Sequence, residues 1–560
     1  MSRLESLFRK TAEQSGWCML LLAVLPVALR LALWPFHPAP TPAGGDDFSY
    51  LLLGDTFAHF RLANPVHPMY RFFETDFVLQ EPSYSSIFAP AQGIVIGIGQ
   101  TIAGHPWAGV LLSGAVFCAL CYWMLRAWIT PAWALLGGLL AVAQFGPLNQ
   151  WTNTYYGGMA SAIAGCLIFG SLPRLSTGGS RSAVVLGAGM GLQVLARPFE
   201  AVLIGLGVLL YLVLHTRRLW WRTVAAATLA TAPALGFMLL HNHAVTGQWL
   251  RLPYMESRDQ YGVPTTFTFQ ALPTPRRQLT REQQLDYRAQ SIIHGDGDSL
   301  ASYVARLGER LRVYRFFFLP PLYVALLAFL WRWREARLRW LVLVTLIVAC
   351  GTNFYPYFYP HYIAALTSAF VLMSVAGLQQ LRRSAWFSWA PRVIVTLCAA
   401  HFMFFYGAHF ARRPSWLIAL ERHEAPNYIG WGDTEGRVEV NQRLAAEPGR
   451  QLVFVRYAPT QLFREWVRNA AVIDAAPVVW ARDLGAAENE TLRRYYPDRT
   501  AWLLEPDVFP PALARYHLEL EPTPQAPAPP QTKLAPSPKQ AVSGEQIPEL
   551  PASGFVRRKR

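Results

Sequence analysis

The sequence predicts a polytopic α-helical membrane protein of about 11–13 transmembrane helices with a small α/β domain near its C-terminus. Three observations carry this. Of 560 residues, 52% are hydrophobic and only 15% charged, and mean hydropathy is +0.20, which is membrane-protein rather than soluble-protein composition. Apolar segments recur through the first 410 residues. The 20 Trp and 23 Tyr suit a chain with long water–bilayer boundaries, where amphipathic rings collect. The net charge of +15 comes largely from arginines in short loops between apolar runs. That is the positive-inside pattern, and nucleic acid is not an expected partner.

Arg3, Arg9 and Lys10 precede an apolar run from about Trp17 to Phe36. The run is too long for a signal-peptide core and has no clear small-x-small site, so it reads as an uncleaved first span with a cytoplasmic N-terminus. A polar loop follows at 37–88, carrying Asp46, Asp47, Asp55, Glu74, Asp76 and Glu81 against Arg61 and Arg71. Its shortage of basic residues places it outside. Within it, Tyr50 to Leu62 has helical spacing, read as a short helix at the membrane surface.

Apolar segments then occupy about 89–103, 107–127, 131–148, 157–172, 182–196, 199–215 and 222–243. After an external loop at 244–312 come four more, at about 313–331, 340–352, 362–379 and 391–410. Several are shorter than the ~20 residues of a perpendicular span. Basic loops at Arg217, Arg218 and Arg222, at Arg332, Arg334, Arg337 and Arg339, and at Arg382 and Arg383 mark the cytoplasmic side. Asn149–Gly158, Arg197–Glu200, Thr352–His361 and everything after about 411 then fall outside. One crossing does not close: either 89–103 is re-entrant or partial, or 182–215 is a single interrupted span. The six cysteines all lie in apolar runs and read as core thiols, Cys118 and Cys121 included.

Gly44-Gly45-Asp46-Asp47-Phe48-Ser49-Tyr50 is the stretch with the clearest chemical content. Neighbouring carboxylates cannot both ionise cheaply in a poorly solvated site, so one has a raised pKa suited to proton transfer; the plain alternative is a solvated turn. An acidic pair just past the first span, opening a first external loop, resembles the GT-C superfamily of polytopic glycosyltransferases. That resemblance spans roughly residues 15 to 410 in architecture. Asp46-Asp47 stands here where an Asp-Glu pair is common in that group. The resemblance implies that Asp46 is the base at the acceptor hydroxyl, Asp47 a helper, and the donor a polyprenyl-phosphate sugar in a bacterial inner membrane.

Arg197, between two apolar segments and directly before Pro198, ends a helix at the membrane surface. A guidinium there would stabilise a departing phosphate; alternatively Arg197 snorkels to headgroups or pairs with Glu200. His361, and Arg251 in the 244–312 loop, are further phosphate-binding candidates. Tyr50, Asn153, Tyr155, Tyr156 and Tyr359 are candidate substrate contacts, the aromatic rings as sugar or isoprenoid platforms; an interfacial aromatic belt is the plain alternative for the 153–156 stretch. No second acid or His/Asp cluster at ligand spacing appears, so neither a bound metal nor another cofactor is expected. Expected partners are the bilayer, the lipid-linked sugar, and an acceptor glycan, lipid or protein. The rival reading is a transporter or flippase of a lipid-linked or amphiphilic substrate, which intramembrane charges and an internal repeat would favour.

Residues 412–517 read as an extracytoplasmic α/β domain. Strands are expected at Gln451–Tyr457, Ala475–Asp483 and Ala501–Glu505, and helices at Thr460–Asn469 and Glu488–Tyr495. The Pro-rich stretch 518–560 reads as a disordered tail.

Overall fold

The computed structural model describes residues 3–215, 220–295, 297–332, 335–410, 435–459 and 465–516. Arg217, Arg218, Arg334, the start of the C-terminal domain and the 518–560 stretch lie outside them. The helices are α1 (Arg3–Glu13), α2 (Ser15–Ala32), α3 (Gly45–Ala58), α4 (Pro90–Ala103), α5 (Pro106–Leu125), α6 (Pro131–Phe145), α7 (Met159–Ser171), α8 (Leu175–Ala196), α9 (Pro198–His215), α10 (Trp220–Thr246), α11 (Pro253–Tyr261), α12 (Arg281–His294), α13 (Leu300–Arg310), α14 (Leu322–Phe329), α15 (Ala336–Thr352), α16 (Thr367–Arg383) and α17 (Ala390–Ala408). Beyond them lie α18 (Arg437–Ala446) and α19 (Ala486–Tyr495).

The chain is a polytopic α-helical membrane protein with a small C-terminal domain built on a β-sheet. By length and composition, five helices among the described residues can cross a membrane: Ser15–Ala32, Pro106–Leu125, Trp221–Thr246, Pro360–Arg383 and Ala390–Ala408. A sixth arises if Leu300–Phe317 and Leu322–Arg332, bent by 116°, are taken as one. Pro131–Phe145, Met159–Arg174 and Pro198–Leu214 are apolar but shorter.

One of the two readings of the unclosed crossing, a single span over 182–215, meets a tertiary contact that opposes it. A Cβ on Gly205 would lie 3.5 Å from Met190 Cε, a contact between residues seven before and eight after Arg197. A straight helix would hold them about 22 Å apart, so α8 and α9 fold back on each other with Arg197 at the turn. Helices α4, α6 and α7, with 14, 15 and 13 residues, each rise less than the thickness of a hydrocarbon core.

Close backbone approach holds α4 against its neighbours. A Cβ on Gly54 would meet Ile96 at 2.2 Å, one on Gly93 would meet Leu53 at 2.4 Å, and one on Gly109 would fall 1.8 Å from the Val95 carbonyl oxygen. Residues without side chains at these points let α3, α4 and α5 stack, and α3 carries the acidic pair.

The C-terminal sheet comprises β3 (Arg450–Val455), β4 (Val478–Arg482), β5 (Arg499–Glu505) and β6 (Ala512–Arg515), after the small hairpin of β1 (Val78–Leu79) and β2 (Ser85–Ser86). Its order is β4-β3-β5-β6, the first three parallel and β6 antiparallel. The three expected strands and the 488–495 helix form; β6 is additional. Of the expected Thr460–Asn469 helix, the described part is not helical. The Glu465 carboxylate accepts the Trp466 and Val467 N–H groups, each at 2.9 Å, competing with the helical bonding pattern.

The domain seats on the loop that follows α2. Leu52, Phe72, Phe73, Val78 and Tyr84 share a core with Leu452, Phe454 and other sheet residues. Around that core, Ala471 N donates to Asp55 at 2.7 Å, Tyr84 donates to the Asn469 carbonyl at 3.1 Å, and His67 Nε2 bonds Asp474 at 3.0 Å. Met69 N donates to His67 Nδ1 at 2.9 Å, which leaves the proton on Nε2 of a neutral ring and makes Asp474 the acceptor.

The packing predicts that Gly109→Ala, which drives a methyl into the Val95 carbonyl, destabilises the protein by about 1–3 kcal/mol. Gly16→Ala, in the first turn of α2 with open space around it, does not lower stability and raises it by up to about 1 kcal/mol. Thermal unfolding of the purified variants in detergent reads both.

Candidate functional site

Helix α3 starts at Gly45, with Asp46 and Asp47 in its first turn, where the N-terminal dipole favours negative charge. Space at Gly45 is tight: a Cβ would sit 3.1 Å from Asp76 Cβ. Successive helical residues are about 100° apart, so the two acids face different surroundings.

Asp47 is buried and fully engaged. One oxygen accepts the Tyr155 and Tyr156 N–H groups at 2.9 and 3.0 Å, the other the Ala43 N–H at 3.2 Å. Burial raises its pKa, and these N–H groups pull it down. Asp47 therefore ties the start of α3 to the loop before α7.

Asp46 is the opposite case. It is half-buried, and no described residue donates a hydrogen bond to its carboxylate. Burial first, then the Asp47 and Asp286 charges, raise its pKa to about 7, with Arg197 pulling the other way. One turn on, Tyr50 lies on the same face and stacks on Phe88, centroids 4.4 Å apart.

Arg197 is held at the α8–α9 turn. Its Nε donates to the His361 carbonyl at 3.1 Å and lies 3.7 Å from Glu200 Oε1, and the guanidinium stands 4.2 Å over the Tyr362 ring. Of the two alternatives for this residue, the Glu200 pairing is present. Its terminal Nη groups have no described hydrogen-bond acceptor, so they remain available to a ligand. The Tyr355 hydroxyl donates to Glu200 at 3.5 Å. His361 stacks on Tyr359 at 5.5 Å and meets the Tyr156 ring edge-on at 5.7 Å, and its buried Nδ1 has no hydrogen-bond partner.

The expected residues therefore divide. Asp46, Tyr50, Tyr156, Arg197, Tyr359 and His361 gather in one neighbourhood, termed the cleft: Arg197 acts on Asp46 and Tyr50 and bonds the His361 carbonyl, and the Tyr156 and Tyr359 rings meet His361. Asn153 does not line it: it is buried, its Oδ1 accepts Arg30 Nε at 2.7 Å, and its Nδ2 donates to the Pro147 and Asn149 carbonyls. Tyr155 is buried too, its hydroxyl donating to the Pro40 carbonyl at 3.0 Å. Arg251 lies elsewhere, in an open pocket of about 520 Å³, ion-paired with Glu256 and Asp259.

Sequence reasoning missed Tyr355 and Tyr362 as individual wall residues, and Asp286 altogether. Asp286 on α12 is buried, chelated by Gln290 Nε2 at 3.0 and 3.1 Å, and its pKa is raised to about 6 by burial. A signal existed: Gln283, Asp286, Gln290 and His294 recur at spacings of three and four and are all buried. A polar stripe of that period in a polar loop looks like a solvated face. Among the described residues no group of three or more His, Cys, Asp or Glu side chains is placed to hold a metal ion.

The geometry assigns the two acids different failures. Asp47→Ala strands three N–H groups and is expected to cost roughly 3 kcal/mol, with a lowered Tm in detergent; Asp47→Asn, which keeps one acceptor oxygen, loses less.

No family model matches the chain, and no curated protein matches it. Among solved structures it is similar to ArnT from Cupriavidus metallidurans in the apo state, at 14% identity and TM-score 0.46, covering 88% of this chain and 93% of that one. The same protein bound to undecaprenyl phosphate gives 13% and 0.46 over the same shares. The oligosaccharyltransferase AglB from Archaeoglobus fulgidus, in complex with an inhibitory peptide and a dolichol-phosphate, gives 12% and 0.45 over 88% and 69%. At these identities and scores no residue role is carried over from either protein.

Proposed function

We propose that this protein is a membrane glycosyltransferase that moves a sugar from a polyprenyl-phosphate carrier to an acceptor hydroxyl on the extracytoplasmic face. The observation that carries the reading is the proximity of an uncommitted carboxylate to an anchored guanidinium whose outer nitrogens have no acceptor among the described residues. Asp46 has a pKa near 7, so at neutral pH a substantial fraction is ionised while its proton affinity remains high, which is the balance a general base needs. Arg197 supplies a fixed positive charge beside the aromatic wall of Tyr359, His361 and Tyr362, where an anionic leaving group can be received.

In this reading the acceptor hydroxyl gives its proton to Asp46 as its oxygen bonds to the anomeric carbon. The bond from that carbon to the carrier phosphate oxygen breaks, its electron pair leaving with the phosphate, and the new glycosidic bond has inverted configuration. Arg197 balances the charge that accumulates on the leaving phosphate. Glu200 and the His361 carbonyl keep the guanidinium in place, and Tyr50 and Tyr156 flank the sugar.

Purified protein assayed with a short-chain polyprenyl-phosphate sugar tests this. Asp46→Asn is expected to lower turnover by about 10²–10⁴-fold. Because the acting form is the carboxylate and its pKa is raised, wild-type turnover falls as pH drops through about 7. Full turnover in Asp46→Asn, or substrate uptake by sealed vesicles without glycosyl transfer, contradicts the proposal; the latter result supports a transporter.

A further inference from the structure

Helix α13 has three faces with different surroundings. Leu300, Val304, Leu307 and Leu311 fall on one stripe, at spacings of four, three and four. Leu300 is 80% exposed, Val304 57% and Leu311 70%. Roughly a quarter-turn round the axis, Tyr303, Arg306 and Arg310 turn into the protein. Ser302 and Glu309 lie opposite the leucine stripe, and Glu309 is exposed.

The inward face is firmly held. Tyr303 donates to the Cys350 carbonyl at 2.8 Å, at the end of α15, and its own carbonyl accepts Asn353 Nδ2 at 2.8 Å. Arg306 bonds the Asp298 carboxylate at 2.7 and 2.9 Å and the Asn353 carbonyl at 3.3 Å. Arg310 donates to the Thr352 carbonyl at 2.8 Å and to the Tyr355 carbonyl. With both arginines bonded inward, the helix cannot roll to hide its leucines against the protein.

We propose that α13 lies in the headgroup–hydrocarbon boundary of the bilayer, with the Leu300–Val304–Leu311 stripe in the acyl region and Glu309 in water. Three observations select lipid as the occupant. The stripe continues the lipid-facing surface, because α13 is pinned to the end of α15, whose Leu343 and Leu346 are exposed. The chain then turns through 116° into α14, whose Leu327 is 67% exposed. A narrow apolar stripe opposite a charged face is the pattern of a helix lying in an interface plane. The arginine struts have a consequence: they fix the Thr352–Tyr355 backbone, which leads into the aromatic wall at Tyr359–Tyr362, at a set depth relative to the bilayer surface. This inference rests on the membrane fold and not on the proposed reaction.

The test uses the full chain in phosphatidylcholine nanodiscs. Cys350, the one exposed cysteine among the described residues, is first replaced by Ser. Val304→Cys and Glu309→Cys are then each labelled with a small fluorophore, with Leu300→Cys as a second apolar position should the first label poorly. The 304 label is expected to lose most of its emission to nitroxide-bearing lipid and little to aqueous iodide, and the 309 label to show the reverse. Iodide quenching at 304 equal to that at 309, without an effect of nitroxide lipid, overturns the proposal. So does protection of 304 from both quenchers, which would place a protein, such as a second copy, on the stripe.

Discussion

Three hydrogen bonds to one buried carboxylate hold the cleft together. Asp47 gathers N–H groups from Ala43, Tyr155 and Tyr156, and so joins the first turn of α3 to the loop before α7. The same loop places the Tyr156 ring against His361. Its neighbour Asp46 has no donor among the described residues. Two adjacent acids in one turn thus come to differ: burial raises the proton affinity of both, but one is part of the frame and the other has no donor among the described residues.

The second constraint is the C-terminal domain. Its Arg482, at the end of β4, reaches the Glu74 carbonyl at 3.3 Å and pairs with Glu282 on α12. One turn along α12 is Asp286, which acts on both Asp46 and Asp76. Asp76 is itself pushed well above the usual carboxylate range, by burial and by the Asp286 and Glu465 charges. Several carboxylates therefore share a weakly solvated region with Arg482, and protons are retained there at pH values where isolated acids would have lost them. The domain thus contributes to the electrostatics near the site although none of the proposed chemistry takes place on it.

The segments most legible in the sequence were those whose period or composition has one cause. The apolar helices, the strands at β3, β4 and β5, and the break before Pro198 follow from local pattern, and so does the acidic pair beyond the first span. Partnership was not legible. Asn153 and Tyr155 look like ligand contacts because they are polar and aromatic beside a Gly pair, yet Arg30 and Pro40, over a hundred residues away, absorb them. Arg251 fails likewise, through Glu256 and Asp259. Asp286 was hidden because burial by tertiary packing cannot be read from a polar stripe. The fold-back of 182–215 needed a tertiary contact, Met190 against Gly205, that no hydropathy window contains.

The central claim is that Asp46, and not Asp47, is the acid without a hydrogen-bond donor among the described residues, and that its pKa lies near 7. Infrared difference spectroscopy of the protein in lipid, stepped through pH, observes carboxyl protonation directly. Against the signals of the other buried carboxylates, a component that titrates with a midpoint of about 7, is missing in Asp46→Asn, and persists in Asp47→Asn with its midpoint moved down by loss of the Asp47 charge, is the predicted result. A signal unchanged by Asp46→Asn, or an Asp46 midpoint in the ordinary range near ~4, would contradict the account.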